Sequence, residues 1–107
     1  MAAACRGAAT AGGTTVGILP GTDPAEANPW IGIVIPTGLG EARNALVVRA
    51  ATALIAVGGG YGTLSEIAFA LKGEKTVAGL RTWEIPGVVA CASPEEAVTL
   101  ALASAGS

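Results

Sequence analysis

The 107-residue chain has no histidine and only two cysteines, Cys5 and Cys91, with no CxxC or Cys/His spacing between them. That removes the usual zinc ligands and the commonest general base at neutral pH. No metal site is expected, and any catalysis must run on carboxylate, arginine, hydroxyl or backbone groups. The two thiols read as buried, free cysteines of a reducing compartment. Charge is also sparse: six Lys and Arg against eight Asp and Glu leave a formal −2. The basic residues stand singly and form no stripe that could neutralise a nucleic-acid backbone, so nucleic acid is excluded as the principal partner. The longest apolar tract, 45–57, is interrupted by Arg49 and falls short of the ~20 residues a bilayer span needs. The opening residues carry Arg6 but no apolar run of signal-peptide length. A cytoplasmic protein without a membrane partner is expected.

Aromatics are only 4% of the chain, whereas hydrophobic residues are 51% and glycine contributes 16 positions. Core contacts must therefore come from small aliphatic side chains and close backbone approach. The length suits one domain over 1–107.

Residues 2–9 favour helix, and Gly12-Gly13 releases the chain into a strand at 14–19 that Pro20-Gly21 ends. A loop with Asp23 follows, then a strand at 31–35 stopped by Pro36-Thr37-Gly38. A helix is expected over 41–52, with Ala42, Ala45, Leu46 and Ala50 on its apolar face. The wholly apolar 53–57 reads as a strand covered on both sides. Beyond the glycine cluster, Leu64, Ile67, Ala68 and Leu71 mark a helix, with Gly73 at its C-terminal cap. Short strands are expected at 76–79 and 88–92. The last helix is signed by Ser93 as N-cap, Pro94 as first helical residue and Glu96 as partner in a capping box, with Ala97, Leu100, Ala101 and Ala105 as its buried stripe. Strands alternating with helices imply an α/β fold: an open, mostly parallel, Rossmann-like sheet with flanking helices.

The chemistry concentrates where the apolar strand runs through Gly58, Gly59, Gly60, Tyr61, Gly62 and Thr63 into a helix. Glycines permit φ > 0 and expose successive N–H groups, and the helix N-terminus adds unpaired donors with partial positive charge. A phosphate would be held chiefly by backbone. The turn is not a Walker A motif, because no Lys-Ser/Thr pair follows, and Thr63 stands where the dinucleotide fingerprint has its third glycine. Glu66, expected in the first helical turn, and Arg43, near the start of the preceding helix, suggest a polar site at the crest of the sheet. Tyr61 is the better candidate for stacking on a base, ahead of Trp30 and Trp83. Asp23 and Thr37 end strands at the same carboxyl edge, where open α/β sheets bind ligands, though turn chemistry explains them equally well.

The segment Gly59-Gly60-Tyr61-Gly62-Thr63-Leu64-Ser65-Glu66, with Arg43 upstream, resembles the PGGxGTxxE motif and arginine of the LOG proteins, also called "possible lysine decarboxylases". The resemblance covers nearly the whole chain. It implies a nucleoside 5′-monophosphate phosphoribohydrolase in which Gly59, Gly60, Gly62 and Thr63 bind phosphate. Arg43 would anchor ligand charge, and Glu66 would stabilise an oxocarbenium-like ribose or position water. True lysine decarboxylation is not expected, because no lysine stands in a recognisable pyridoxal-phosphate context. Two positions depart from the pattern: Gly58 replaces a proline, and Asn44 stands where a lysine is usual. With these departures the segment looks more like the branch containing the molybdenum cofactor carrier proteins, and more distantly like the DNA-processing DprA proteins. The carrier reading is a non-catalytic protein holding a nucleotide, a phosphate or molybdopterin on the same turn, with no cofactor required for its own chemistry. A third reading is an interaction module with a vestigial site. The resemblance also implies a homodimer or larger assembly. It further suggests that Met1 opens inside the domain, so that an N-terminal strand-helix-strand is expected upstream.

Overall fold

The structure, a computed structural model, describes residues 1–105, the side chain of Ala105 excepted; that expected member of the last stripe lies outside the described side chains. The fold is α/β with parallel strands and flanking helices, organised as two compact units, 1–43 and 44–107. Among the described residues no helix is long and apolar enough to cross a membrane.

In the first unit, helix α1 (Ala2–Thr10) is capped by Ala11 and followed by Gly12, whose φ of +81° turns the chain toward β1 (Val16–Leu19). This strand pairs in parallel with β2 (Ile33–Pro36). Buried Thr15 ties the entry of both strands: its Oγ1 donates to the Trp30 carbonyl and accepts from the Gly32 N–H, both at 2.7 Å.

The second unit carries β3 (Leu54–Val57), β4 (Val77–Leu80) and β5 (Val88–Ala90), parallel and in that order. Helices α3 (Tyr61–Lys72) and α4 (Pro94–Ala105) pack on β3 and β4. Val77 and Ala78 point to opposite faces of β4, and both are fully buried, so this strand is covered on both sides. Val48, Ala56, Ile67, Ala70 and Val77 form the core cluster.

Several expectations need correction. The parallel strands are those expected of the fold, β1–β2 in the first unit and β3–β4–β5 in the second; the corrections concern the helices and cysteines. Helix α2 (Arg43–Ala50) is preceded by a 3-10 turn at Gly40–Ala42, whose tighter winding shifts the helical phase. Its buried residues are therefore Asn44 and Val48, while Leu46 is 39% exposed. Helix α3 buries Ile67 and Ala70, and Ala68 is exposed. Gly73 caps α3 with an ordinary φ of −84°, and the left-handed conformation falls one residue later, on Glu74 at φ +59°. The cysteines are free as expected but only half-buried.

The capping box of α4 forms in part. Ser93 Oγ accepts from the Glu96 N–H at 3.1 Å, while the Glu96 carboxylate reaches back to the Ala92 N–H at 3.0 Å rather than to that of Ser93. Lys75 performs a capping role absent from the sequence reading. Its ammonium donates to the carbonyls of Val48 at 2.5 Å, Ala51 at 2.6 Å and Arg49 at 3.3 Å, placing a cation on the carbonyl end of α2.

Candidate functional site

Strand β3 delivers the chain to the glycine turn, and each glycine there does something different. Gly58 alone uses left-handed freedom, at φ +85°, to swing the backbone off the strand. Gly60 is the N-cap of α3 in ordinary extended conformation, φ −71° and ψ 161°, and Gly62 is already helical. A Cβ added at Gly58, Gly59 or Gly60 would meet nothing within 4 Å, so the backbone there is open to approach. Because Gly60 offers no side-chain cap, the first amides of α3, those of Tyr61, Gly62 and Thr63, point out of the helix end without intrahelical acceptors. An open backbone at a helix N-terminus presents N–H donors and partial positive charge of the kind that attracts anions.

Glu66 is the sixth residue of α3, in its second turn rather than its first, because the helix begins at Tyr61 instead of Leu64. Its half-buried carboxylate therefore draws little on the helix dipole, whose influence fades within one turn. Arg43 is the first residue of α2, as expected, and belongs to the first unit, whereas the glycine turn and Glu66 belong to the second.

Three further residues position the turn. Buried Asn44 donates from Nδ2 to Ser65 Oγ at 3.0 Å, and Ser65 Oγ donates to the Gly62 carbonyl at 2.8 Å. The Asn44 amide thus braces the first turn of α3. Trp83 donates from its indole N–H to the Gly60 carbonyl at 3.2 Å, and its ring stacks on Tyr61 with centroids 6.1 Å apart. Tyr61 itself is 83% exposed. From the sequence alone Asn44 stands out only as a departure from the motif, and Trp83 ranks below Tyr61 as a stacking candidate. The available signal was that Trp83 follows β4, on the carboxyl side where α/β sheets gather their ligand-binding loops.

The other candidates are occupied locally. Asp23 Oδ1 accepts from the Ala25 N–H at 2.9 Å as the cap of a 3-10 turn. Thr37 Oγ1 donates to the Leu19 carbonyl at 2.6 Å and accepts from the Leu39 N–H at 3.2 Å. Trp30 lies under the Arg6 guanidinium at 5.7 Å. Among the described residues no cluster of three or more His, Cys, Asp or Glu could hold a metal ion.

Comparison with known proteins places this architecture. The chain is 46% identical over 105 residues to an uncharacterised protein of Archaeoglobus fulgidus, covering 97% of this chain and 69% of the relative. Its fold is similar to that of the molybdenum cofactor binding protein of Rippkaea orientalis, with TM-score 0.85 and 37% identity over 94% of this chain and 68% of that one. It is also similar to the molybdenum cofactor carrier protein of Chlamydomonas reinhardtii, with TM-score 0.83 and 35% identity over 97% of this chain and 69% of that one. Of the branches weighed from the sequence, the carrier-like branch is the one in which these neighbours lie. The SLOG cluster4 family model matches residues 1–105, and the chain belongs to that family.

Proposed function

We propose that the chain is a non-catalytic binding protein for a phosphorylated cofactor of the molybdopterin class, held by its phosphate on the turn 58–63. The observation that carries this reading is the open backbone at Gly58–Gly60 ahead of the orphan amides of α3, in a chain whose structural neighbours are described as molybdenum cofactor carriers. The donor set fits such a group: backbone N–H groups supply directional donors for phosphate oxygens without a fixed side-chain charge. Asn44, Ser65 and Trp83 keep those donors in place, and Tyr61 offers an exposed ring beside them. Hydrolysis of nucleoside monophosphates, with Glu66 and Arg43 as catalytic groups, gains no support from the relatives.

The test is to incubate the purified protein with molybdenum cofactor and with a panel of nucleoside 5′-monophosphates. Melting temperature, molybdenum retained after gel filtration and free base would then be measured. Retention of cofactor and a raised melting temperature, with no free base, are expected. Release of base from any nucleotide would replace the carrier by an enzyme. No retention and no shift with any phosphorylated compound would remove the turn as a phosphate site.

A further inference from the structure

Of the amides that open α3, those of Tyr61 and Thr63 belong to peptide units whose carbonyl ends are held by side chains. A trans peptide points its N–H opposite to its C=O, so fixing one end aims the other. The Gly60 carbonyl, joined to the Tyr61 N–H, accepts from the Leu64 N–H at 3.0 Å and from the Trp83 indole N–H at 3.2 Å. The Gly62 carbonyl, joined to the Thr63 N–H, accepts from Ser65 Oγ at 2.8 Å, and that hydroxyl in turn accepts from Asn44 Nδ2 at 3.0 Å. The direction of this second relay is set at its source. A hydroxyl has one proton, and with the Asn44 amide donating to its oxygen, Ser65 directs that proton at Gly62. Both sources are themselves held in place: Asn44 is 8% exposed, and Trp83 packs against the core cluster.

We propose that Trp83 and the Asn44–Ser65 pair are positioning residues that polarise the Gly60–Tyr61 and Gly62–Thr63 peptides toward an oxyanion seated on the turn. The inference rests on the phosphate reading of that turn and assigns the source of its attraction for charge. Hydrogen bonds in a chain polarise one another, so a carbonyl that accepts makes the N–H of its own peptide a stronger donor. An indole N–H donates only, and the Asn44 amide enters its relay as a donor, so both relays present their positive ends to the turn. Residues 50–65 hold no lysine or arginine. The two relays do there, without formal charge, what a cation does in other phosphate sites, and the stronger donors favour an ionised acceptor over a neutral one.

The test pairs calorimetric titration of the 107-residue chain with ribose 5-phosphate and amide nitrogen spectra of the free protein. Trp83→Phe keeps a ring beside Tyr61 and removes the N–H; Ser65→Ala removes the second relay, and Ser65→Thr retains its hydroxyl. Trp83→Phe and Ser65→Ala should each weaken ribose 5-phosphate about three- to tenfold, whereas Ser65→Thr should stay within about twofold of the parent. In the spectra Trp83→Phe should move the Tyr61 resonance more than that of Thr63, and Ser65→Ala should do the reverse. A general loosening of the helix end would move both together. Parental affinity in either variant, or weakening with the two resonances moving alike, would overturn the assignment and leave the turn as a phosphate site. Failure of the parent itself to bind ribose 5-phosphate or molybdenum cofactor would remove the phosphate reading, and this role with it.

Discussion

Replacing Gly60 with alanine separates what the turn does for the fold from what it does for a ligand. The backbone at Gly60 is ordinary for any L residue, and an added Cβ meets nothing within 4 Å. Two small effects on stability oppose each other. The methyl restricts the unfolded chain, worth about 0.4–1 kcal/mol in favour of folding. Alanine is a poorer N-cap than glycine, costing about 0.5 kcal/mol or somewhat more. The unfolding free energy should therefore stay within about 0.5 kcal/mol of the parent. A phosphate over the turn would meet that methyl and lose one or two charge-assisted hydrogen bonds of about 1.5–3 kcal/mol each. A loss of about 2–4 kcal/mol corresponds to roughly 30- to 1,000-fold in Kd. Urea unfolding followed by tryptophan fluorescence, beside calorimetric titration with ribose 5-phosphate, reads both quantities. Affinity within about twofold of the parent, a negligible free-energy difference, would show that no phosphate lies over Gly60.

Four further outcomes are expected. Gly58→Ala, at φ +85° with equally open space, should lower stability by about 1–2 kcal/mol in the same urea assay, the opposite pattern to Gly60→Ala. Lys75→Met removes the cation that caps α2; allowing for its partial exposure, a loss of about 1–2 kcal/mol is expected, and an unchanged melting curve would dismiss the cap. Glu74→Gly relieves a left-handed glutamate and should stabilise by up to about 1 kcal/mol, the conformational gain exceeding the added freedom of the unfolded glycine. Glu66→Gln should leave cofactor retention and thermal shift intact, since the carrier reading gives this carboxylate no part in holding phosphate; loss of binding would give it one.

What the sequence conveyed was local. Strand β3, the glycine turn and α3 follow one another with turn and helix chemistry written in adjacent residues, and so does the Ser93 cap of α4. What it did not convey depends on partners far along the chain. Asn44 is buried because Ser65 accepts its amide, 21 residues on, and no helical periodicity marks a polar residue as inward-facing. Trp83 reaches Gly60 across 23 positions, and Lys75 reaches the end of α2 across 24 to 27. The offset of the left-handed residue from Gly73 to Glu74 is a different kind of miss. The Glu74 N–H bonds to the Leu71 carbonyl and the Lys75 N–H to that of Ala70, so the terminal turn closes one residue beyond the glycine.

Strand β4 has a consequence for motion. It is paired on both sides and fully buried at Val77 and Ala78, yet a left-handed glutamate precedes it and a left-handed arginine follows it. Amide protons in its middle can exchange with solvent only when the whole unit opens, whereas those just past its carboxyl end need only a local excursion. Residues 81–83, which follow the strand, include Trp83, whose indole donates to the Gly60 carbonyl of the glycine turn. A ligand held on the glycine turn would slow deuterium uptake at those amides without any change in the fold.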